Sequence, residues 1–118
     1  MTSALAGRRL LVVEDEYLLA DDLAKALSAD GAEVIGPAPS VDAALDLLDE
    51  TDELDGAVVD LNLQGEMAYP VADALRERDI PFVFSTGYDQ STIPSRYGDT
   101  PRCEKPAKAT AIAKALFG

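Results

Sequence analysis

Apolar residues in this chain come in two patterns, short continuous runs and stripes at helical spacing, and the two patterns alternate. The first run is Leu10, Leu11, Val12 and Val13, and it stops at Glu14, Asp15 and Glu16. Leu19, Leu23, Ala26 and Leu27 then recur at a spacing that predicts a helix with one apolar face. Asp15 can cap that helix, because a carboxylate accepts hydrogen bonds from the free amides of a first turn, and Gly31 ends it. Residues 32–36, with Val34 and Ile35, predict a second strand closed by Gly36 and Pro37. Ser40 is placed to cap a second helix, striped by Val41, Ala44, Leu45 and Leu48, with Asp42, Asp46, Asp49 and Glu50 on a solvated face. Residues 56–63 predict a third strand, a Val-rich run that starts at Gly56 and carries Asp60 where the apolar character stops, followed by a loop through Gln64, Gly65 and Glu66. Pro70 suits the first turn of a third helix, with Val71, Ala74 and Leu75 facing inward. Pro81, Phe82, Val83 and Phe84 predict a fourth strand, ended by Ser85, Thr86, Gly87 and Tyr88. Residues 89–100 are rich in Ser, Thr, Pro and Gly, with Ile93 and Tyr97 as apolar anchors, and predict only a short or mobile helix. Residues 101–104 predict a fifth strand, Lys105 and Pro106 follow it, and a last helix carries Ile112, Leu116 and Phe117.

Strands that alternate with helices, and that read as buried on both faces, imply an α/β fold with helices on both sides of a parallel sheet. The expected architecture is flavodoxin-like: a doubly wound five-stranded parallel sheet of order 2-1-3-4-5 with five helices, the fourth short or mobile. In that order the first and third strands are neighbours. Glu14, Asp15 and Asp60 then converge at the carboxyl edge of the sheet, where ligands bind in open parallel sheets. A chain of 118 residues suits one domain over residues 1–118, and no internal repeat, linker or output domain is expected.

Charge narrows the partners. There are 22 acidic and 10 basic residues, a net charge of −12, and the imbalance lies in residues 1–66, with 16 acids against 3 bases. Such a chain repels nucleic acid and anionic membranes, so neither is an expected partner. Cys103 is the single cysteine and cannot form an internal disulfide. No stretch approaches the length of a membrane span or a signal peptide, and the expected location is the cytoplasm.

Three carboxylates at one edge repel one another, and a divalent cation relieves the repulsion. Oxygen-only donors select magnesium or calcium over zinc, and the chain has no histidine. A carboxylate is also a competent nucleophile toward phosphorus, in a reaction that needs a metal and a cation to neutralise phosphoryl oxygens. Lys105, after the fifth strand, can supply the cation, and Thr86 offers a hydroxyl on the same edge. Gly87 leaves room for an approaching group. Each residue alone has an ordinary reading: Glu14 and Asp15 as a helix cap, Asp60 as a strand terminator, Thr86 as a turn residue, Lys105-Pro106 as a strand exit. An acidic pair after the first strand, an Asp ending the third, a Thr ending the fourth and a Lys-Pro after the fifth are far more specific together than apart.

In that layout the chain resembles the receiver domains of two-component response regulators over essentially its whole length. The resemblance implies that Asp60 is the phosphoacceptor, that Asp15 binds Mg2+ directly and Glu14 through water, and that the backbone carbonyl of Asn62 completes the protein's share of the metal shell. It implies that Thr86 and Lys105 bind phosphoryl oxygens, and that the Lys105–Pro106 peptide is often cis. Phe84-Ser85-Thr86-Gly87-Tyr88 is similar to the signature of the FATGUY receivers, with Ser85 in place of that subgroup's alanine; residues 69–72 and Pro81-Phe82 also resemble it. Most receivers place Tyr or Phe three residues before the lysine as a rotating switch. Here that position is Arg102, so the resemblance shifts the switch to Tyr88 or the loop after it.

The function expected from the resemblance is that of a single-domain response regulator. It takes a phosphoryl group from a histidine kinase or a histidine phosphotransfer protein, and it signals to an unidentified output protein or serves as a phosphate sink. It is a phosphoacceptor rather than a conventional enzyme, and a monomer. The alternative is a receiver-fold binding module that works without phosphorylation, against which the intact set of five residues argues. A small aspartyl phosphohydrolase fits less well, because the first strand ends Glu14-Asp15-Glu16 without a second Asp two residues beyond a nucleophile, and no Gly-rich loop supports dinucleotide binding. Leu18 lies off the apolar face of the first helix beside the acidic edge, and is either a candidate partner contact or an ordinary scattered apolar residue. Gly87, Tyr88, Arg102 and Pro106 complete the expected switch and partner surface, and residues 86–100 are expected to open easily and to order on phosphorylation.

Overall fold

The computed structural model describes residues 4–63, 65–87 and 93–118. Its five-stranded parallel sheet runs in the order β2-β1-β3-β6-β7, formed by β1 (Arg9–Val13), β2 (Glu33–Ala38), β3 (Gly56–Asp60), β6 (Phe82–Thr86) and β7 (Arg102–Glu104). The remaining two strands, β4 (Asn62–Leu63) and β5 (Glu66–Met67), form a separate antiparallel ribbon. Without the ribbon, the order is the expected 2-1-3-4-5. Helices α1 (Tyr17–Ala29), α2 (Val41–Glu50), α3 (Tyr69–Glu77) and α4 (Ala109–Phe117) cover the two faces.

Alternation along each strand decides what each face holds. Leu11, Val13, Ala57, Val59, Phe82 and Phe84 point to one side and pack against Val41, Ala44 and Leu48 of α2 and Val71, Ala72 and Leu75 of α3. Leu10, Val12, Val58 and Val83 point to the other and pack against Leu23 and Leu27 of α1 and Ile112 of α4. Every residue of β3 and β6 is buried, which is why both read as unbroken apolar runs. A fully buried Val or Leu contributes roughly 1.5–3 kcal/mol, so the three interior strands β1, β3 and β6 anchor the sheet.

Local chemistry sets the helix ends. Ser40 caps α2, its hydroxyl accepting from the Ala43 amide at 3.1 Å. The opposite end of α2 is closed from another element: the Arg78 guanidinium donates to the carbonyls of Leu48 (2.5 Å), Thr51 (2.8 Å) and Asp52 (3.1 Å). Gly31, at φ +95°, ends α1 as expected, and a Cβ there would stand 3.0 Å from the Cα of Ala6.

Several expectations are corrected. Asp15 does not cap α1. The helix is flanked by Glu16, no side chain caps it, and the Glu16 amide donates to Glu14 at 3.1 Å. Ala20 replaces the exposed Ala26 on the buried face of α1, and Leu19 is half-buried. The third strand stops at Asp60, and the expected loop after Leu63 is the turn of the β4–β5 ribbon, closed by the Gly65 amide donating to Asn62 Oδ1 at 2.7 Å. Strand β6 runs through Ser85 and Thr86, because β7 offers Cys103 and Glu104 as partners. The fourth helix, expected to be short or mobile, is among the described residues one short 3-10 turn, Ser95–Tyr97, beside the four α-helices. That turn is firmly anchored by Tyr97, which is fully buried.

Candidate functional site

Parallel strands deliver their last residues to one edge, and here that edge is acidic. Glu14 follows β1, Asp60 ends β3, Thr86 ends β6 and Lys105 follows β7. Carboxylate oxygens of Glu14, Asp15 and Asp60 lie within 4.8 Å of one another. Glu14 and Asp60 are buried, at 5% and 3% exposure, and Asp15 is half-buried. Lys105 bridges two of them, with Nζ 2.8 Å from Asp60 Oδ2 and 3.2 Å from Glu14 Oε1. The second oxygen of Asp60 accepts from the Asn62 amide at 3.2 Å.

Burial pushes the Asp60 carboxyl up to about 7. The hydrogen bond from Lys105 opposes that rise, and the Glu14 carboxylate adds to it. Desolvation opposes the charge on Lys105, but its hydrogen bond to Asp60 and the charges of Asp60 and Glu14 outweigh that, and its ammonium is held above the ordinary lysine value. One lysine among three carboxylates leaves the edge short of positive charge.

The other predicted site residues fall around this centre. Thr86 is buried, and its carbonyl accepts from the Lys105 amide at 2.8 Å, so the two are adjacent across β6 and β7. Gly87 is exposed, with nothing within 4 Å of a Cβ built on it. Asn62 stands two residues past Asp60 at the start of the ribbon. The Lys105–Pro106 peptide is cis, and Pro106 is exposed. Leu18 is 70% exposed and adjoins Tyr17 at 80%, beside a groove lined by Glu14, Asp15, Ala20, Pro37 and Pro39. Arg102 is exposed and lies opposite Phe84 in the β6–β7 register, on the edge strand rather than in the acidic centre. Tyr88 lies outside the described residues. Sequence reasoning missed the role of Ser85, whose carbonyl takes the Leu61 amide at 3.3 Å and so fixes the chain just past Asp60. Its one signal was a small residue beside Thr86 at a strand end.

Fold and site together define a flavodoxin-like α/β protein with a buried aspartate, two further carboxylates and a lysine at the carboxyl edge of its sheet. No protein-family model matches the chain. It is similar to SdrG of Sphingomonas melonis Fr1, at 41% identity over 97% of this chain and 95% of that one, with a TM-score of 0.80. The beryllofluoride-activated conformation of SdrG matches at 38% identity over 98% of this chain and 96% of that one, with a TM-score of 0.76. A Burkholderia pseudomallei response regulator, whose structure carries a phosphorylated aspartic acid and a calcium ion, is 25% identical over 92% of this chain and 66% of that one, with a TM-score of 0.80. The sensory transduction protein LytT of Bacillus subtilis is 35% identical over 89 residues, 72% of this chain, and the match spans 36% of LytT's own length. The chain belongs to the receiver domains of two-component response regulators.

Proposed function

We propose that Asp60 is the phosphoacceptor and that the chain takes its phosphoryl group from a histidine kinase or a histidine phosphotransfer protein. The observation that carries this reading is the company of Asp60: a carboxylate 3% exposed, 2.8 Å from the Lys105 ammonium and clustered with Glu14 and Asp15. An oxygen-only donor set with one cationic partner fits Mg2+. Glu14, Asp15, Asp60 and the backbone carbonyl of Asn62 would hold the ion. Bound there, Mg2+ supplies positive charge that keeps the carboxylates ionised and neutralises phosphoryl oxygens.

In the transfer, a carboxylate oxygen of Asp60 bonds to phosphorus as the P–N bond of the donor phosphohistidine breaks, and the imidazole leaves with the bonding electrons. Lys105 turns from the carboxylate to a phosphoryl oxygen, and the Thr86 hydroxyl donates to another. The output is binding to another protein, or return of the phosphoryl group to a shared pool. We assign the chain to the FATGUY receivers on the stretch from Phe84 to Tyr88. Incubation with magnesium and a radiolabelled small phosphodonor tests the reading. Wild type takes up label and Asp60→Asn does not; equal labelling of the two would overturn it.

A further inference from the structure

Tyr97 is the largest wholly buried side chain among the described residues, yet it comes from a single 3-10 turn in a polar stretch. Its burial is the work of α3 and β6. The Tyr69 ring stacks on it at 5.4 Å and 8°, and Phe84 meets it edge-on at 5.6 Å. Its hydroxyl donates to the Asp73 carboxylate and, at 3.4 Å, lies against the Tyr69 carbonyl. The guanidinium of Arg76 sits 4.4 Å from the ring centre, and Arg76 also donates to the Arg96 carbonyl at 2.6 Å and the Thr100 hydroxyl at 3.1 Å.

Two routes lead from this knot to the acidic edge. Phe84 lies in β6 two residues before Thr86. The Thr100 amide donates to the Tyr97 carbonyl at 3.0 Å, and the Phe84 amide to the Pro101 carbonyl at 2.9 Å, so Tyr97 also sets the entry of β7. Strand β7 has three residues, stands at the sheet edge and pairs only with β6 before delivering Lys105. Cys103, packed with Val83 and Ile112, holds the middle of this short edge strand from the α1–α4 side, and the Tyr97 knot holds its entry from the other. We infer that Tyr97 is a positioning residue: held by Tyr69, Asp73 and Arg76, it sets β6 and β7 so that Thr86 and Lys105 face a phosphoryl group on Asp60. What those two residues face rests on the phosphoacceptor reading; the spacing itself does not. Glu14 and Asp15 follow β1, which is separated from β6 by β3, so the control reaches Glu14 through the Lys105 ammonium, 3.2 Å from its Oε1.

The test compares wild type, Tyr97→Phe and Tyr97→Leu by amide hydrogen exchange and by NMR titration with magnesium alone and then with beryllofluoride. In Tyr97→Leu, exchange quickens at the Phe84 and Lys105 amides and not at Val12. Beryllofluoride affinity falls about tenfold or more, the usual scale for removing a residue behind a site, and magnesium affinity changes by less. Tyr97→Phe keeps the ring, loses the bond to Asp73 and falls between. If Tyr97→Leu does not fold, Tyr97→Phe and Asp73→Ala are read the same way. Unchanged exchange at Phe84 and Lys105, unchanged beryllofluoride affinity, or a matching loss of magnesium affinity overturns the inference. A wild type that binds magnesium but not beryllofluoride removes the phosphoacceptor reading instead, and the exchange data then decide the spacing alone.

Discussion

A carboxylate that is almost wholly buried is costly to ionise, and burial pushes the Asp60 carboxyl up to about 7 from an ordinary 3.8. The sign for stability follows. Between those values the folded chain holds a proton that the unfolded chain has released, so stability falls as pH rises from about 4 to about 7 and stays lowered above it. An amide at this position carries no charge to bury. In chelator, Asp60→Asn should therefore melt above wild type at pH 8, with the gap narrowing toward pH 5, as followed by circular dichroism. An unchanged or lower melting temperature at pH 8 would contradict the desolvation account. Asp60 was legible because a lone acid at the end of an all-apolar run has few structural excuses. Asp15 read both as a cap and as part of the acidic edge; the Glu16 amide just before the helix goes to Glu14, and Asp15 joins the cluster.

At the scale of elements, the five sheet strands were legible because each is buried on both faces or flanked by turn residues. The β4–β5 ribbon was not, since two strands of two residues each are too short to show a period. Nor was the closure of α2 by Arg78 from 26 to 30 residues away, because it depends on how α2 and α3 lie together. Tyr97 was legible as an apolar anchor of residues 89–100, but its partners on α3 and β6 are ones that composition cannot see. Helix α1 bears the docking prediction. Leu18 is 70% exposed beside the acidic edge, where it adds nothing to the core. Leu18→Asp should slow phosphotransfer from a cognate kinase about tenfold or more, as loss of an interface anchor does, and leave labelling by a small donor unchanged. Equal slowing with both donors would place the defect in the fold.

For the whole molecule, a net charge of −12 sets the balance that a cation would relieve. Among the described residues, no helix is long and apolar enough to cross a membrane. Acids crowd residues 1–66, and the sheet brings Glu14, Asp15 and Asp60 from that half against Lys105 from the other. A ligand that binds only the folded state at about ten times its dissociation constant adds about 1.4 kcal/mol. Magnesium in that excess should raise the melting temperature by a few degrees, and Asp15→Asn should remove most of the gain. A wild type indifferent to millimolar magnesium would contradict the assignment of a metal to this edge.

The central claim is that one carboxylate, Asp60, becomes an acyl phosphate. Borohydride reduces an aspartyl phosphate to homoserine and leaves phosphoserine, phosphothreonine and free aspartate untouched. After phosphorylation in magnesium, reduction and proteolysis, mass spectrometry should find homoserine at position 60 and at no other acid, and none when Asp60→Asn is treated alike. Homoserine at Glu14's neighbour Asp15, or phosphate that survives on a hydroxyl with position 60 unmodified, would contradict it.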